Sequence, residues 1–393
     1  EVTIYDPSLV TINDLGSNFY LSPEDVGKKR RDEAVLAKLA ELNPYVHCTV
    51  MDGDDILSKA KDYSIVVITE LMDKEQLYKI SDFCHQNKIG FIYSATLGIT
   101  GFTFVDFGEE HYIRDKNGEE CKTYLCRIIT KDTYGAVTID DTIGGGKITF
   151  SSGDWVTFKE VKGMTELNDG KPRQVKLISP ISFSIGDTSN LSDYEGGGII
   201  EQVKVPIKVS YAPLSQRFET PYVGKKGPDP IDFSKFGRNE LLHCAFLAVH
   251  EYHLQHKAFP ELNNDAQANE VLAKAKEIYN KKKAENVDWI QNAQEFDDKI
   301  VLAVAKWARA EISPICAFLG GIVAQEIVKL TGKYTPINQW LWFDFYESVA
   351  NLKPDTDRTL KGSRYDDQIA IYGNEIQKKL SEANIFMIGA GAL

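Results

Sequence analysis

Cysteine is scarce in this 393-residue chain: six residues, spread from Cys48 to Cys316. That spread excludes a dense disulfide framework and favours a reducing compartment. Cys121 and Cys126 lie close together, but no second pair stands at metal-ligand spacing, so no zinc site is expected. No run of about 18 apolar residues occurs, which excludes a membrane-spanning helix of the usual kind. No signal peptide is visible. Positive charge is also short: 45 Lys and Arg stand against 57 Asp and Glu, a net charge of −12. This disfavours a nucleic-acid binder and favours basic partners. No carboxylate–histidine–nucleophile arrangement stands out. The triple glycines Gly144–Gly146 and Gly196–Gly198 lack the strand-turn-helix context of a phosphate loop.

What is present changes character along the chain. Residues 1–100 alternate strand and helix. "EVTIYD" is a strand, and residues 22–44 are a helix opened by Ser22-Pro23-Glu24-Asp25. "YVHCTVMD" and "YSIVVITE" are strands, the second with a continuous Ile65–Ile68 run typical of a strand covered on both faces. A helix in "MDKEQLYKISDFCHQNK" and a strand in "IGFIYSAT" follow. The alternation predicts a parallel sheet. From about 101 to 204 short strands and Gly/Asp turns predict a small β barrel or sandwich. From 205 to 305 three long helices and a shorter one around Tyr211–Phe218 predict a helical bundle, preceded by the linker-like "PYVGKKGPDP". Residues 306–350 return to α/β. A polar linker then leads into "NIFMIGAGAL", a strand running into glycines. The shifts near 101, 205 and 306 predict two independent inserted modules, with the flanking halves completing one sheet.

The histidine-rich "HCAFLAVHEYHLQH" carries His243, His250, His253 and His256. The 250/253 pair shares a helix face, read here as an exposed bundle face. Cys84, Cys244 and Cys316 sit in apolar helical settings and are expected to be buried and unreactive.

The stretches "GSNFYLSPEDVGKKRRDEAVLAKLAELNPYV", "FLGGIVAQEIVKLTGKYTP" and "SRYDDQIAIYGNEIQKKL…NIFMIGAGAL" resemble the N-terminal half of the ubiquitin-activating enzymes, and the resemblance covers essentially the whole chain. It implies a multidomain α/β fold, in which a Rossmann-like (ThiF/MoeB-like) adenylation domain is interrupted by a small β-barrel insertion and a helical bundle. Residues 1–100 and 306–350 would be the inactive adenylation domain and 101–204 the first catalytic-cysteine half-domain. Residues 205–305 would be the four-helix bundle, and 351–393 the linker and start of the active adenylation domain. The first phosphate loop of the family would precede Glu1, and the second would be interrupted after Gly389 and Gly391. The chain is thus expected to be one segment of a longer protein.

The resemblance further implies ATP and Mg2+, bound mainly outside this segment. It implies ubiquitin, ubiquitin-conjugating enzymes and the remainder of the same enzyme as partners, in cytoplasm and nucleus, with no nucleic acid and no membrane. Active members surround the nucleotide with an Arg, a Gln, a Lys and two Asp. Here Asp6 keeps the strand-end acid, but Ser17 stands at the arginine position, Arg30 at the lysine position, and Thr69 or Glu70 at the metal-binding Asp. A hydroxyl cannot neutralise phosphate as a guanidinium does, so a degenerate site is expected. Arg364 matches an arginine that crosses a pseudo-symmetric interface towards nucleotide, with Tyr365 and Asp367 helping to hold that interface. No catalytic residue and no metal ligand is expected in this segment. Two alternatives stay open: a subunit of an activating enzyme for another ubiquitin-like protein, and a non-catalytic binding or scaffold module.

Overall fold

The computed structural model describes all residues except 141, 143–145, 223–232, 294, 354 and 390–393. Most of "PYVGKKGPDP", together with Gly144 and Gly145, therefore lies outside the described residues. The chain divides into two compact units. One comprises 1–109, 210–330 and 336–393; the other comprises 110–209 with 331–335.

The first unit is α/β. Strand β1 (Val2–Ile4) pairs in parallel with β2 (Cys48–Val50). Strand β3 (Ile65–Ile68) pairs in parallel with β4 (Gly90–Leu97), and β4 pairs antiparallel with β5 (Thr100–Asp106). Strand β6 (Trp340–Asp344) completes this sheet in the order β6-β5-β4-β3. Parallel pairing was expected across one sheet; it occurs in two separate pairs. The expected insertion boundary near 101 also shifts. β5 hydrogen-bonds along its length to β4 and β6, so this strand belongs to the α/β sheet.

The longer helices are α1 (Arg31–Leu42), α2 (Lys74–Gln86), α3 (Arg238–His256), α4 (Asp265–Ala284), α5 (Asp298–Lys306) and α6 (Ser313–Lys329). The helix expected over 22–44 is divided. Ser22 and Asp25 form a capping box around a single turn, Pro23–Asp25. Gly27 then adopts φ +68°, which ends the turn, and α1 begins at Arg31.

The sheet presents two different faces. Phe91, Tyr93, Phe102, Phe104, Trp340 and Trp342 share one buried cluster with Phe246 and Val249 of α3, Val271 of α4 and Val301 of α5. The opposite face mixes small and polar groups with apolar ones: Ser94 Oγ lies 2.9 Å from Thr103 Oγ1, Ile92 stands opposite Val105, and Leu319 of α6 and Phe343 close on Gly101. Sheet and bundle therefore share one core, and the bundle is not the independent module that composition suggests. The same packing corrects the histidine reading. His243 and His250 are fully enclosed by aromatic rings, because α3 is covered by the sheet on one side and by helices on the other.

The second unit is antiparallel. Its sheet runs through 173–174, Trp155–Lys159, Ile199–Val203, Thr123–Ile129, Ala136–Ile139, Ser182–Ser184 and 176–179. The first and last members are halves of one extended stretch interrupted at Val175, so the sheet closes on itself as a barrel. Alternation sets its interior: Val156 and Phe158, Val137 and Ile139, and Phe183 point into the core. A separate antiparallel ladder joins His111–Ile113 to Ile207–Val209, placing the two ends of the 110–209 segment side by side.

Residues 384–388, read as a strand, have no regular structure, and their apolar side chains are exposed: Ile385 84%, Phe386 88%, Ile388 89%. A strand needs a neighbour for its backbone groups, and among the described residues none is paired with 384–388.

Candidate functional site

The α/β unit holds a cleft of about 940 Å³. The end of β1 with Tyr5–Pro7 forms one side, and β3 with Thr69 and Glu70 forms the other. Helix α6 and the segment Ser17–Tyr20 complete the walls. The short helix Asp14–Ser17 reaches this position because Gly16 packs directly on the Arg364 carbonyl oxygen, where a β-carbon would collide.

Arg31, at the start of α1, lies among the acids of the cleft. Its Nε is 2.8 Å from Asp6 Oδ2, Nη1 is 3.3 Å from Asp14 Oδ1, and Nη2 is 3.9 Å from Glu70 Oε2. Asp14 also accepts from the Thr11 backbone N–H at 2.7 Å and the Thr11 hydroxyl at 2.9 Å. Burial works against the Arg31 charge, but Asp6 and Asp14 outweigh it and hold the guanidinium above its ordinary pKa. Burial pushes the Glu70 carboxyl up, Asp6 adds to this, and Arg31 opposes it. Glu311 is open to the cleft yet enclosed by protein elsewhere. This desolvation raises its carboxyl although Arg31 opposes the shift, and Asp367 raises it further. The Glu311 backbone N–H donates to Asp367 Oδ2 at 2.8 Å, while burial raises Asp367.

The ionisable lining is therefore dominated by acid: Asp6, Asp14, Glu70 and Glu311 against Arg31 and Lys59. Arg31 is already engaged by three carboxylates. A polyanion placed here would meet repulsion that two cations do not cancel. The geometry suits a structural charge cluster holding β1, α1 and the Asp14 turn together.

Of the residues singled out in the sequence, Asp6, Ser17, Thr69 and Glu70 all line this cleft. Arg30 does not. It precedes α1 in extended backbone, and its guanidinium folds onto Asp32 at 2.7 Å and 3.1 Å. Arg31 takes the interior position instead. In "RRDE" the two arginines are adjacent; the only local signal is that Asp32 can hold the side chain just before the helix. Arg364 is half-buried, with no side-chain hydrogen bond or ion pair among the described residues and no place in the cleft lining. Gly389 is exposed with φ +86°, a backbone that glycine adopts readily. Gly391 lies outside the described residues.

The cysteines fall into distinct settings. Cys84, Cys126 and Cys244 are buried; burial pushes their thiols up to about 12, about 11 and about 12. Cys121 is exposed. Cys316, expected to be buried, is half-exposed because α6 turns it into the cleft; burial, with Glu311 and Asp367, still raises its thiol to about 12. Thiols held that high are protonated near neutral pH and weakly nucleophilic.

Two family models match in succession: the ubiquitin-activating enzyme E1 FCCH domain over 132–204 and the ubiquitin-activating enzyme E1 four-helix bundle over 205–279. The chain is thus similar, along its length, to a segment of the ubiquitin-activating enzymes. It is 38% identical over 398 aligned residues to ubiquitin-like modifier-activating enzyme 1 of Homo sapiens and 39% identical over 397 to that of Dictyostelium discoideum. It is also 37% identical over 398 to ubiquitin-activating enzyme E1 1 of Schizosaccharomyces pombe. Each alignment includes the whole of this chain but only 36–37% of the relative, so the chain spans about a third of the proteins it matches.

Proposed function

We propose that this segment serves an ATP-dependent ubiquitin-activating enzyme as scaffold and ubiquitin-binding surface. In the whole enzyme, Mg-ATP adenylates the C-terminal carboxylate of ubiquitin. The acyl group then passes to a cysteine and on to a conjugating enzyme. An adenylate makes the carboxylate a good acyl donor, and a thioester preserves much of that activation. The chain contributes an inactive, Rossmann-like adenylation domain, the first half of the cysteine domain and the bundle. Nucleotide and Mg2+ bind mainly outside it, and the enzyme works in cytoplasm and nucleus. Gly389 and Gly391 begin a phosphate loop completed by later residues, and Arg364 lies at the interface between adenylation domains. Asp6, Asp14, Glu70 and Glu311 around Arg31 are the observation that supports a scaffolding rather than a nucleotide-binding role for the cleft.

Isothermal titration of the 393-residue chain with Mg-ATP tests this. No saturable heat is expected; a dissociation constant tighter than about 100 μM would overturn the reading.

A further inference from the structure

The run Asp115-Lys116-Asn117-Gly118-Glu119 contains the only Asn-Gly pair in the chain. It lies in the antiparallel unit, between His111–Ile113 and Thr123–Ile129. The turn itself dictates the glycine. Gly118 has φ +74°, a region that L side chains avoid. A β-carbon there would also stand 2.8 Å from the Tyr334 ring. The turn is closed by a side chain. The Asp115 carbonyl is occupied by the Tyr334 N–H at 2.6 Å, and the Asp115 carboxylate accepts from the Gly118 N–H at 2.9 Å.

This arrangement bears directly on the Asn117 amide. The Glu119 N–H donates to Asn117 Oδ1 at 3.2 Å, which folds the side-chain carbonyl back over the Gly118 peptide and polarises it. Attack by the Gly118 nitrogen on Asn117 Cγ closes a five-membered ring, and residue 118 has no side chain to obstruct it. The proton on that nitrogen already points at a carboxylate. Lys204 Nζ lies 2.7 Å from Asp115 Oδ1 and holds the carboxyl below the usual range, so it is ionised at neutral pH. Asn117 and Gly118 are both exposed, so water can enter and a small amine can leave. Asn168 makes the contrast. Asp169 follows it, and its amide is held at both ends by Val161, accepting from the N–H at 2.9 Å and donating to the carbonyl at 2.9 Å.

We propose that Asn117 is a site of spontaneous deamidation, converted without any enzyme to aspartyl and isoaspartyl forms. The Gly118 nitrogen attacks Asn117 Cγ while its proton passes to the Asp115 carboxylate. The new N–Cγ bond replaces the Cγ–Nδ2 bond, and the amide nitrogen leaves as ammonia with that proton. Water then opens the cyclic imide. Opening at the side-chain carbonyl gives aspartate; opening at the main-chain carbonyl gives isoaspartate, with the chain routed through Cβ. The net change consumes one water and releases one ammonia, with no oxidation or reduction. A negative charge appears beside Glu119 and Glu120. The isoaspartyl form also lengthens the turn that Lys204 spans between Asp115 and the Glu119 carbonyl. The turn thereby records the age of the chain.

Incubation of the 393-residue chain at physiological temperature and neutral pH, followed by peptide mapping with mass spectrometry, tests this. The peptide holding residue 117 should exchange the mass of an amide for that of an acid and split into aspartyl and isoaspartyl species, while Asn168 stays intact. Asp115→Asn keeps an oxygen for the Gly118 N–H but removes the base, and should slow conversion at least about tenfold. Asn117→Gln has a longer side chain that cannot close the five-membered ring, and should abolish it. Both variants should keep the circular dichroism spectrum of the parent, since neither side chain belongs to the barrel core. Earlier conversion at another asparagine overturns the proposal, as does an Asn117 that persists as long as Asn168. Unchanged or faster conversion in Asp115→Asn also overturns it, because the carboxylate would then restrain the Gly118 amide rather than activate it.

Discussion

Arg31 shows how one side chain decides what a cleft can hold. Its guanidinium lies within 4 Å of carboxylates from β1's exit, the Asp14 turn and the segment after β3. Replacing it with glutamine keeps some volume and removes the charge, leaving several acids facing one another. Breaking a buried pair costs several kcal/mol, but Arg31 is partly solvated, so we expect a loss of about 1–2 kcal/mol at pH 7. The loss should shrink as pH falls and the carboxylates protonate. Urea unfolding of Arg31→Gln at neutral and mildly acidic pH checks both parts. His243 and His250 make the opposite case. Burial holds both near a pKa of about 3, whereas an unfolded histidine titrates near 6.5. Keeping them neutral stabilises the fold fully above that unfolded value. The contribution falls as pH drops from about 6.5 towards 3, by roughly 2 kcal/mol for each histidine near pH 5. Leucine at both positions should flatten the pH dependence of the unfolding midpoint between neutrality and about pH 5; an unchanged slope would refute this account.

Helix α2 illustrates how much a local signal can carry. Asp73 precedes it, and its carboxylate accepts from the backbone N–H groups of Glu75 at 2.9 Å and Gln76 at 3.2 Å. Alanine at Asp73 leaves both donors without that acceptor and should cost about 1 kcal/mol, read as a lower denaturation midpoint with unchanged slope. Signals of this kind made many elements legible in the sequence. "IVVI" reads as a covered strand and forms β3, and the alternating strands of 123–203 read as a β unit. The remainder depended on neighbours far away in the chain. Nothing local in "GFTFVDF" says that it pairs with Trp340–Asp344 rather than opening the barrel. Nothing in α3 says which of its faces meets solvent when nearly every face is covered. The cleft was legible in Asp6, Ser17 and the Thr69-Glu70 pair, but not in Asp14 or Glu311, which come from other parts of the chain. Which of two adjacent arginines enters it was not, because that choice rests on one residue's position relative to the first helical turn.

The two inserted regions relate to the rest of the chain in different ways. The 110–209 segment leaves and returns through the paired strands His111–Ile113 and Ile207–Val209. Within the α/β unit, the Tyr211 N–H donates to the Gly108 carbonyl at 3.0 Å. The ends to be joined are thus already close, and closing them with a short Gly/Ser linker costs little. Replacing 110–209 by such a linker should preserve cooperative unfolding of the remainder. Deleting 210–305 should not, since it strips the cover from Phe102, Trp340 and Trp342. Thermal melts followed by circular dichroism distinguish the two: a cooperative bundle-deleted chain, or a molten barrel-deleted one, would refute this division. The long reach of β6 has a consequence in time. Its partner β5 lies more than about 200 residues earlier, and a pairing so distant bears a heavy loop-closure cost unless the intervening chain has already condensed. The barrel closes entirely within its own segment, so it is free to form during synthesis while the sheet still waits for its last strand. Until Trp340 and Trp342 emerge from the ribosome, the aromatic face of β4 and β5 stays incompletely covered, which makes this the interval in which a nascent chain most needs a chaperone.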